Sequence, residues 1–279
     1  RLTFADGESK NFNALAKITY KPFSSTKLNF QGMLSVWNWT EYDHQWKFNL
    51  PGLTPQDKKS YRLNLSMTHA FSEEAYLDFY LSQYNVLKSV KGKSSREQEA
   101  IHYQTNPGTG YEDRLSYVVS GDYPWWMDHE EVHNVVKFDY VNQWHFRNQL
   151  KAGSEATFFY LNKFNNLRKE IYSFDPKFPR YISYITDYEY RPRQISFYVQ
   201  NKMDYDGFIA NMGVRMDLFD PRATRPLVEE NLTQQDSAWI INQDKSVKAD
   251  LKTQVSPRIG ISFPISEFSD VRINYGYFF

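Results

Sequence analysis

The sequence predicts an all-β protein, a transmembrane antiparallel β-barrel of which about ten strands are present. Three observations predict it. Apolar and polar residues alternate with period two in segment after segment, as in strands whose two faces meet different surroundings. The connections between these segments alternate between short and long, the pattern of an outer-membrane barrel with tight turns at one end and long loops at the other. Aromatic residues make up 18% of the 279 residues, yet no apolar run approaches the ~20 residues of a membrane helix.

The strands follow in order. Phe12, Ala14, Ala16, Ile18 and Tyr20 alternate with Asn13, Lys17 and Thr19; after the turn "KPFSST", Leu28, Phe30, Gly32, Leu34 and Val36 alternate with Lys27, Asn29, Gln31 and Ser35. Tyr61, Leu63, Leu65 and Met67 oppose Arg62, Asn64, Ser66 and Thr68, and beyond "AFSEEA" Leu77, Phe79 and Leu81 oppose Asp78, Tyr80 and Ser82. Three more hairpins are read at 135–144 with 149–160, 194–203 with 208–218, and 258–263 with 271–277. The second of these turns through "DYDG", whose Asp-Gly pair favours a tight hairpin. Between hairpins lie long stretches at about 41–60, 87–134, 161–193 and 219–254, too long for loops of a compact soluble domain. Residues 1–279 are thus read as one partial barrel domain with long extracellular loops.

The alternation assigns the faces. Leu28, Phe30, Leu34, Leu63, Leu65, Phe79, Ile195, Phe197, Met212 and Val214 are expected to meet lipid. The inward set is expected to line a hydrated lumen: Lys17, Asn29, Gln31, Arg62, Asn64, Asp78, Lys137, Asp139, Lys151, Glu155, Gln200, Arg215, Arg258 and Arg272. Trp37, Trp39, Tyr42 and Trp46 at one end of the second strand, with Tyr20 and Phe23 at the other, are expected to form interfacial girdles. A soluble sandwich also alternates, so a β-sandwich carbohydrate-binding protein stands as an alternative.

Charge points nowhere in particular, with Lys+Arg and Asp+Glu at 33 each, and nothing suggests nucleic acid. The absence of cysteine excludes disulfides and thiolate metal sites. The chain begins at Arg1 and is read as processed or cut from something longer.

His129-Glu130-Glu131-Val132-His133 spells HExxH, the zinc-protease signature. That chemistry needs a helix. Here the motif runs into an alternating strand, and no third ligand follows at the required spacing, so it is read as a chance match on a polar outer loop. No metal and no cofactor are expected. In "SGDYPWWMDH", Trp125, Trp126, Asp128 and His129 are the candidate ligand contacts, since adjacent loop tryptophans stack on sugars and cap ligands. The alternative is that the tryptophans pack the loop onto the rim. "DYDGF" lacks the rest of a calcium loop and is read as a turn. No catalytic set stands out, and the chain is not expected to be an enzyme.

Two stretches, "PRQISFYVQNKMDYDGFIANMGVRMDLFDP" (192–221) and "VSPRIGISFPISEFSDVRINYGYFF" (255–279), resemble the barrel of TonB-dependent outer-membrane receptors of the Bacteroidetes-like kind. "TKLNFQGMLSVWNWTEYDHQWKFN" and "KSYRLNLSMTHAFS" fit the same pattern, so the resemblance spans nearly the whole chain. It implies about 22 strands around a plugged lumen and uptake of a scarce siderophore, cobalamin, glycan or peptide. The implied partners are outer-membrane lipid, a TonB complex engaged through a plug portion, a surface lipoprotein and a small-molecule or glycan ligand. On this resemblance the chain is a mid-barrel portion without plug or TonB box. The enzyme alternative is a complete ten-stranded barrel resembling the omptin proteases, which requires residues 12–20 to pair with 271–277.

Overall fold

A computed structural model describes residues 9–92, 104–106, 117–120, 122–123, 125–171, 180–205, 207–233, 236–266 and 268–277. Two paired strands, β1 (Ser9–Phe23) and β2 (Thr26–Thr40), open the sheet. The next are β3 (Pro55–Ala70), β4 (Ala75–Lys91) and, after the short pair β5 (Gln104–Asn106) and β6 (Tyr117–Ser120), β7 (Trp125–His145) and β8 (Asn148–Ile171). Then come β9 (Arg180–Tyr190), β10 (Arg193–Tyr205) and β11 (Phe208–Asp220). A hairpin of β12 (Thr224–Thr233) and β13 (Asp236–Lys248) precedes β14 (Lys252–Ser266) and β15 (Ser269–Gly276). The main sheet runs β1-β2-β3-β4-β7-β8-β10-β11-β14-β15, all antiparallel, with β9 beside β8.

β9 and β10 behave as one strand. β10 pairs the lower half of β8 (Phe158 opposite Arg193) and β9 the upper half (Leu161 opposite Tyr190), in unbroken register. The interruption falls at Arg191–Pro192, where proline has no N–H to donate, although its carbonyl still accepts from the Phe159 amide at 3.0 Å. The path is therefore the ten strands that the alternation predicts.

The register also sorts the faces, because directly opposed residues share one. Ile18, Phe30, Leu65 and Leu81 stand in line, as do Phe138, Ser154, Phe197 and Met216. All ten residues expected to meet lipid share this apolar face, and it packs against no second sheet: Phe30 is 48% exposed, Phe138 44% and Phe197 51%. A sandwich would have buried them. β1 pairs only with β2 and β15 only with β14 among the described residues, so the sheet is an open arc. The complete ten-stranded barrel of the enzyme alternative does not form.

Several expectations need correction. The stretches 87–134 and 161–193 are strand over much of their length: β4 runs to Lys91, β7 starts at Trp125, and β8 and β9 extend their hairpin far past 160. Likewise 41–60 gives up its end to β3, and 219–254 holds β12 and β13. Along the outer parts of β7 and β8 polar and apolar residues mix on both faces, and the period-two signal fades. The girdle assignment also fails for Trp37 and Trp39. Their odd numbers place them on the polar face of β2, where the two rings stack at 4.1 Å. Trp46 is buried in the connection between β2 and β3, a cap in which it and Leu53 pack with Leu50 and Tyr123.

Candidate functional site

All fourteen residues assigned to the inward face stand on the polar face of the sheet. Near its middle they tie the strands together sideways. The Arg62 guanidinium donates to Tyr80 at 2.9 Å and to Asn64 at 3.1 Å, while Ser82 donates to Asn64 at 2.6 Å. Further along, the Tyr198 hydroxyl donates to Asp139, which also pairs with Lys137 at 3.2 Å. Arg215 pairs with Asp217 at 2.9 Å and donates to Ser196 at 2.8 Å. A recess of about 490 Å³ opens here, lined among others by Lys137, Lys151, Tyr198, Arg215, Arg258 and Asn274.

Gly153 makes room for that network. A Cβ there would meet Asp139 Oδ1 at 2.5 Å, Tyr198 Cε1 at 2.6 Å and the Phe138 carbonyl at 2.7 Å.

The HExxH residues lie within β7, not on a loop. A strand places alternate side chains on opposite faces, so His129, Glu131 and His133 share the polar face and Glu130 stands on the other. The zincin geometry, with the glutamate beside both histidines, is therefore impossible. Instead Glu131 lies between the rings, 2.5 Å from His133 Nε2 and 3.5 Å from His129 Nε2.

The same alternation divides the candidate ligand contacts. Trp125 and His129 take the polar face, while Trp126 and Asp128 take the other. Trp126 is 4% exposed and lies over Gly92, whose Cβ would sit 2.7 Å from the indole. It packs the end of β4, and the four residues do not form one cluster. Trp125 donates to Asn165 Oδ1 at 2.9 Å and helps line a second recess of about 430 Å³ with Glu41, His44, Gln56, Tyr123 and Leu167. There burial, and then the carboxylates of Asp43 and Glu41, push the Tyr123 hydroxyl above its ordinary pKa.

Sequence reasoning missed the most distinctive feature of this face. Across adjacent strands Trp37 opposes Lys58, Lys58 opposes Lys88, Lys88 opposes His129, His129 opposes Lys163, and Lys163 opposes Tyr188. This is one lateral row beyond the apolar band, at the end of the long connections. Like charges directly opposed across a ladder are destabilising, with cross-strand pairs worth roughly 0.2–1 kcal/mol each. Among the described residues no carboxylate lies within ion-pair distance of the three lysines. Burial, and then the neighbouring charge of Lys58, hold the Lys88 ammonium below its ordinary pKa, with Glu41 opposing and Lys163 adding to the effect. At one end of the row Trp37 stacks on Trp39, over which Lys88 Nζ sits at 5.5 Å. At the other, Tyr188 stacks on Tyr190 with centroids 5.1 Å apart. Only the register could have revealed this row, since its members lie far apart in sequence.

Comparison with solved structures follows the same geometry. The siderophore receptor PiuA from Acinetobacter baumannii superposes with a TM-score of 0.57 at 11% identity, over 95% of this chain and 41% of PiuA. The ferric-catecholate import receptor Fiu from Escherichia coli K12 gives 0.55 at 9%, over 96% of this chain and 43% of Fiu. The fold is that of a TonB-dependent outer-membrane receptor barrel. A copper transporter, OprC, gives 0.55 at 9% identity, with 97% of this chain and 37% of OprC covered. The chain thus spans less than half the length of the receptors whose barrel it shares. No protein-family model matches the sequence, and no curated protein does.

Proposed function

We propose that this chain is an arc of the wall of an outer-membrane, TonB-dependent receptor that imports a scarce nutrient. One observation carries the reading: a single open sheet with an apolar face exposed along its length and a polar face tied by lateral hydrogen bonds. In water such a face would be an aggregation hazard; against lipid it is the stable arrangement. The free edges of β1 and β15 require further strands, because an unpaired ladder in hydrocarbon costs several kcal/mol per group. In this reading the fourteen polar-face residues line the lumen, and the long connections face the cell exterior. A plug portion engages the TonB complex for energy, and the activity is transport rather than catalysis. The structural neighbours are described as receptors for siderophores and a transporter for copper, which supports a metal or metal chelate as cargo ahead of a glycan or peptide.

These 279 residues contain no cysteine, so a cysteine introduced here is the only one among them. In the intact protein in lipid vesicles, a water-soluble maleimide is expected to label cysteine placed at Asn29, Asn64, Gln200 or Arg215. Cysteine at Phe30, Leu65, Phe197 or Val214 is expected to stay unlabelled until detergent is added. Equal labelling of both sets would refute the lipid-facing assignment.

A further inference from the structure

We propose that the apolar face of the sheet carries, at its charged margin, a headgroup site for a lipid bearing both a phosphate and a primary ammonium. The inference rests on the receptor reading above and concerns the side of the wall which that reading turns toward lipid.

A recess of about 460 Å³ opens where β2, β3, β4, β7 and β8 lie side by side. The register gives its side. All of its lining residues except Lys88 and His129 stand on the face of Phe30, Leu65 and Leu81. Along that face the chemistry changes in order toward the recess. The lateral row of Phe30, Leu65, Leu81 and Val136 is apolar. The next row contains Gln83 and Asn134, with Gln83 donating to Asn134 at 3.1 Å. The recess beyond holds Asp57, Lys59, Lys91, Asp128 and Glu130. Apolar, then amide, then charged is the order in which a bilayer presents acyl chains, linkage and headgroup.

Both signs of charge select the headgroup. Asp57, Ser89 and Asp128 oppose one another in one lateral row, and Lys59, Leu87 and Glu130 in the row beside it. At about 4.8 Å between strands, the ends of each row lie roughly 10 Å apart. A headgroup lying across them meets lysines on β3 and β4 and carboxylates on β3 and β7. A net anion is opposed by three carboxylates against two lysines. A phosphate joined to an ammonium offers each sign its opposite.

Asn85 supplies the independent sign. It stands on the same face, between the amide row and the recess, opposite Tyr61 and Val132, and is 5% exposed. Its Nδ2 donates to Glu130 at 3.4 Å, while its Oδ1 has no hydrogen-bond partner among the described residues. A buried acceptor without a donor is destabilising. A primary ammonium beside Glu130 brings N–H donors, as a lysine ammonium does; a trimethylammonium brings none. The source is a lipid, because exposed Leu34, Leu63 and Leu81 continue the same face away from the recess and offer a path for acyl chains.

The test exposes the intact protein in detergent to equal amounts of phosphatidylethanolamine, phosphatidylcholine and phosphatidylglycerol with identical chains. Native mass spectrometry counts the lipids retained. Phosphatidylethanolamine is expected to be retained ahead of the other two. Asp128→Asn/Glu130→Gln is expected to lower its preference over phosphatidylcholine by about threefold to tenfold. Lys59→Gln/Lys91→Gln is expected to weaken phosphatidylethanolamine and phosphatidylcholine alike, since both carry the phosphate. Heat-modifiable gel migration reports folding; if a double variant does not fold, Glu130→Gln alone carries the comparison and is expected to show a smaller loss of the same preference. Equal retention of the three lipids, a preference for phosphatidylglycerol, or folded variants with unchanged preference overturns the inference. So does displacement of the lipid by an equal concentration of soluble phosphoethanolamine, because the recess would then serve a free headgroup. None of these results touches the receptor reading, which stands or falls on the cysteine-labelling pattern.

Discussion

Phe197→Arg is expected to destabilise the protein in lipid by about 2–4 kcal/mol, while Gln200→Arg costs a small fraction of that. Both positions lie on β10, three residues apart. Phe197 opposes Ser154 on one side and Met216 on the other, in the middle of the apolar face. An arginine there must leave its charge in hydrocarbon, thin the bilayer or reach for the interface, and each route costs free energy. Gln200 opposes Lys151 and Gly213 on the polar face, where a guanidinium stays hydrated. Denaturant unfolding from lipid vesicles measures the difference. Equal costs at the two positions would mean that the faces do not separate lipid from water.

Gly153→Ala is expected to cost about 1–3 kcal/mol, the range for overfilling a well-packed position. The added methyl meets Asp139, Tyr198 and a main-chain carbonyl of β7, all within 2.7 Å. Asp139 and Tyr198 are fixed by their mutual hydrogen bond and by Lys137, and the Phe138 carbonyl belongs to the ladder. The site cannot relax without separating β7, β8 and β10. Gly32 provides the contrast, since a Cβ there meets nothing closer than Leu63 Cδ2 at 3.7 Å. Glycine inside a strand is less favourable than alanine by roughly 0.5–1 kcal/mol, so Gly32→Ala is expected to be neutral or mildly stabilising. The same unfolding experiment reads both.

Where one face of the sheet is apolar and the other polar, the sequence was legible. Phe12 to Tyr20, Leu28 to Val36 and Tyr61 to Met67 alternate because each outward position must be apolar, and their pairing follows the expected facing throughout. Beyond the band that constraint disappears. Tyr160, Asn162, Phe164 and Asn166 alternate with Leu161, Lys163, Asn165 and Leu167 along β8, a mixture that no period-two template recognises as strand. For the same reason the HExxH segment read as loop: Asp128 and Glu130 on one face and His129 and Glu131 on the other are polar alike. Trp37 and Trp39 misled for a different reason, because an aromatic near a strand end suits a membrane interface and a ligand-facing wall equally well. The lateral row of Lys58, Lys88, His129 and Lys163 was illegible in principle. Its four members become neighbours only through the register of four strands, a long-range property that local pattern does not carry.

If these strands form an arc of a larger barrel, the two edge strands lie far apart across it. Spin labels at Lys17 on β1 and Arg272 on β15 both occupy the polar face and can be attached through single cysteines in an otherwise cysteine-free chain. Strand spacing and tilt in a barrel of about 22 strands place the two labels on the order of 40 Å apart. Pulsed electron–electron spin resonance on the intact protein in lipid is predicted to give a distribution centred above about 30 Å. A distribution centred below about 20 Å, as adjacent strands would give, would mean that β1 and β15 close a small ring, and would contradict the account.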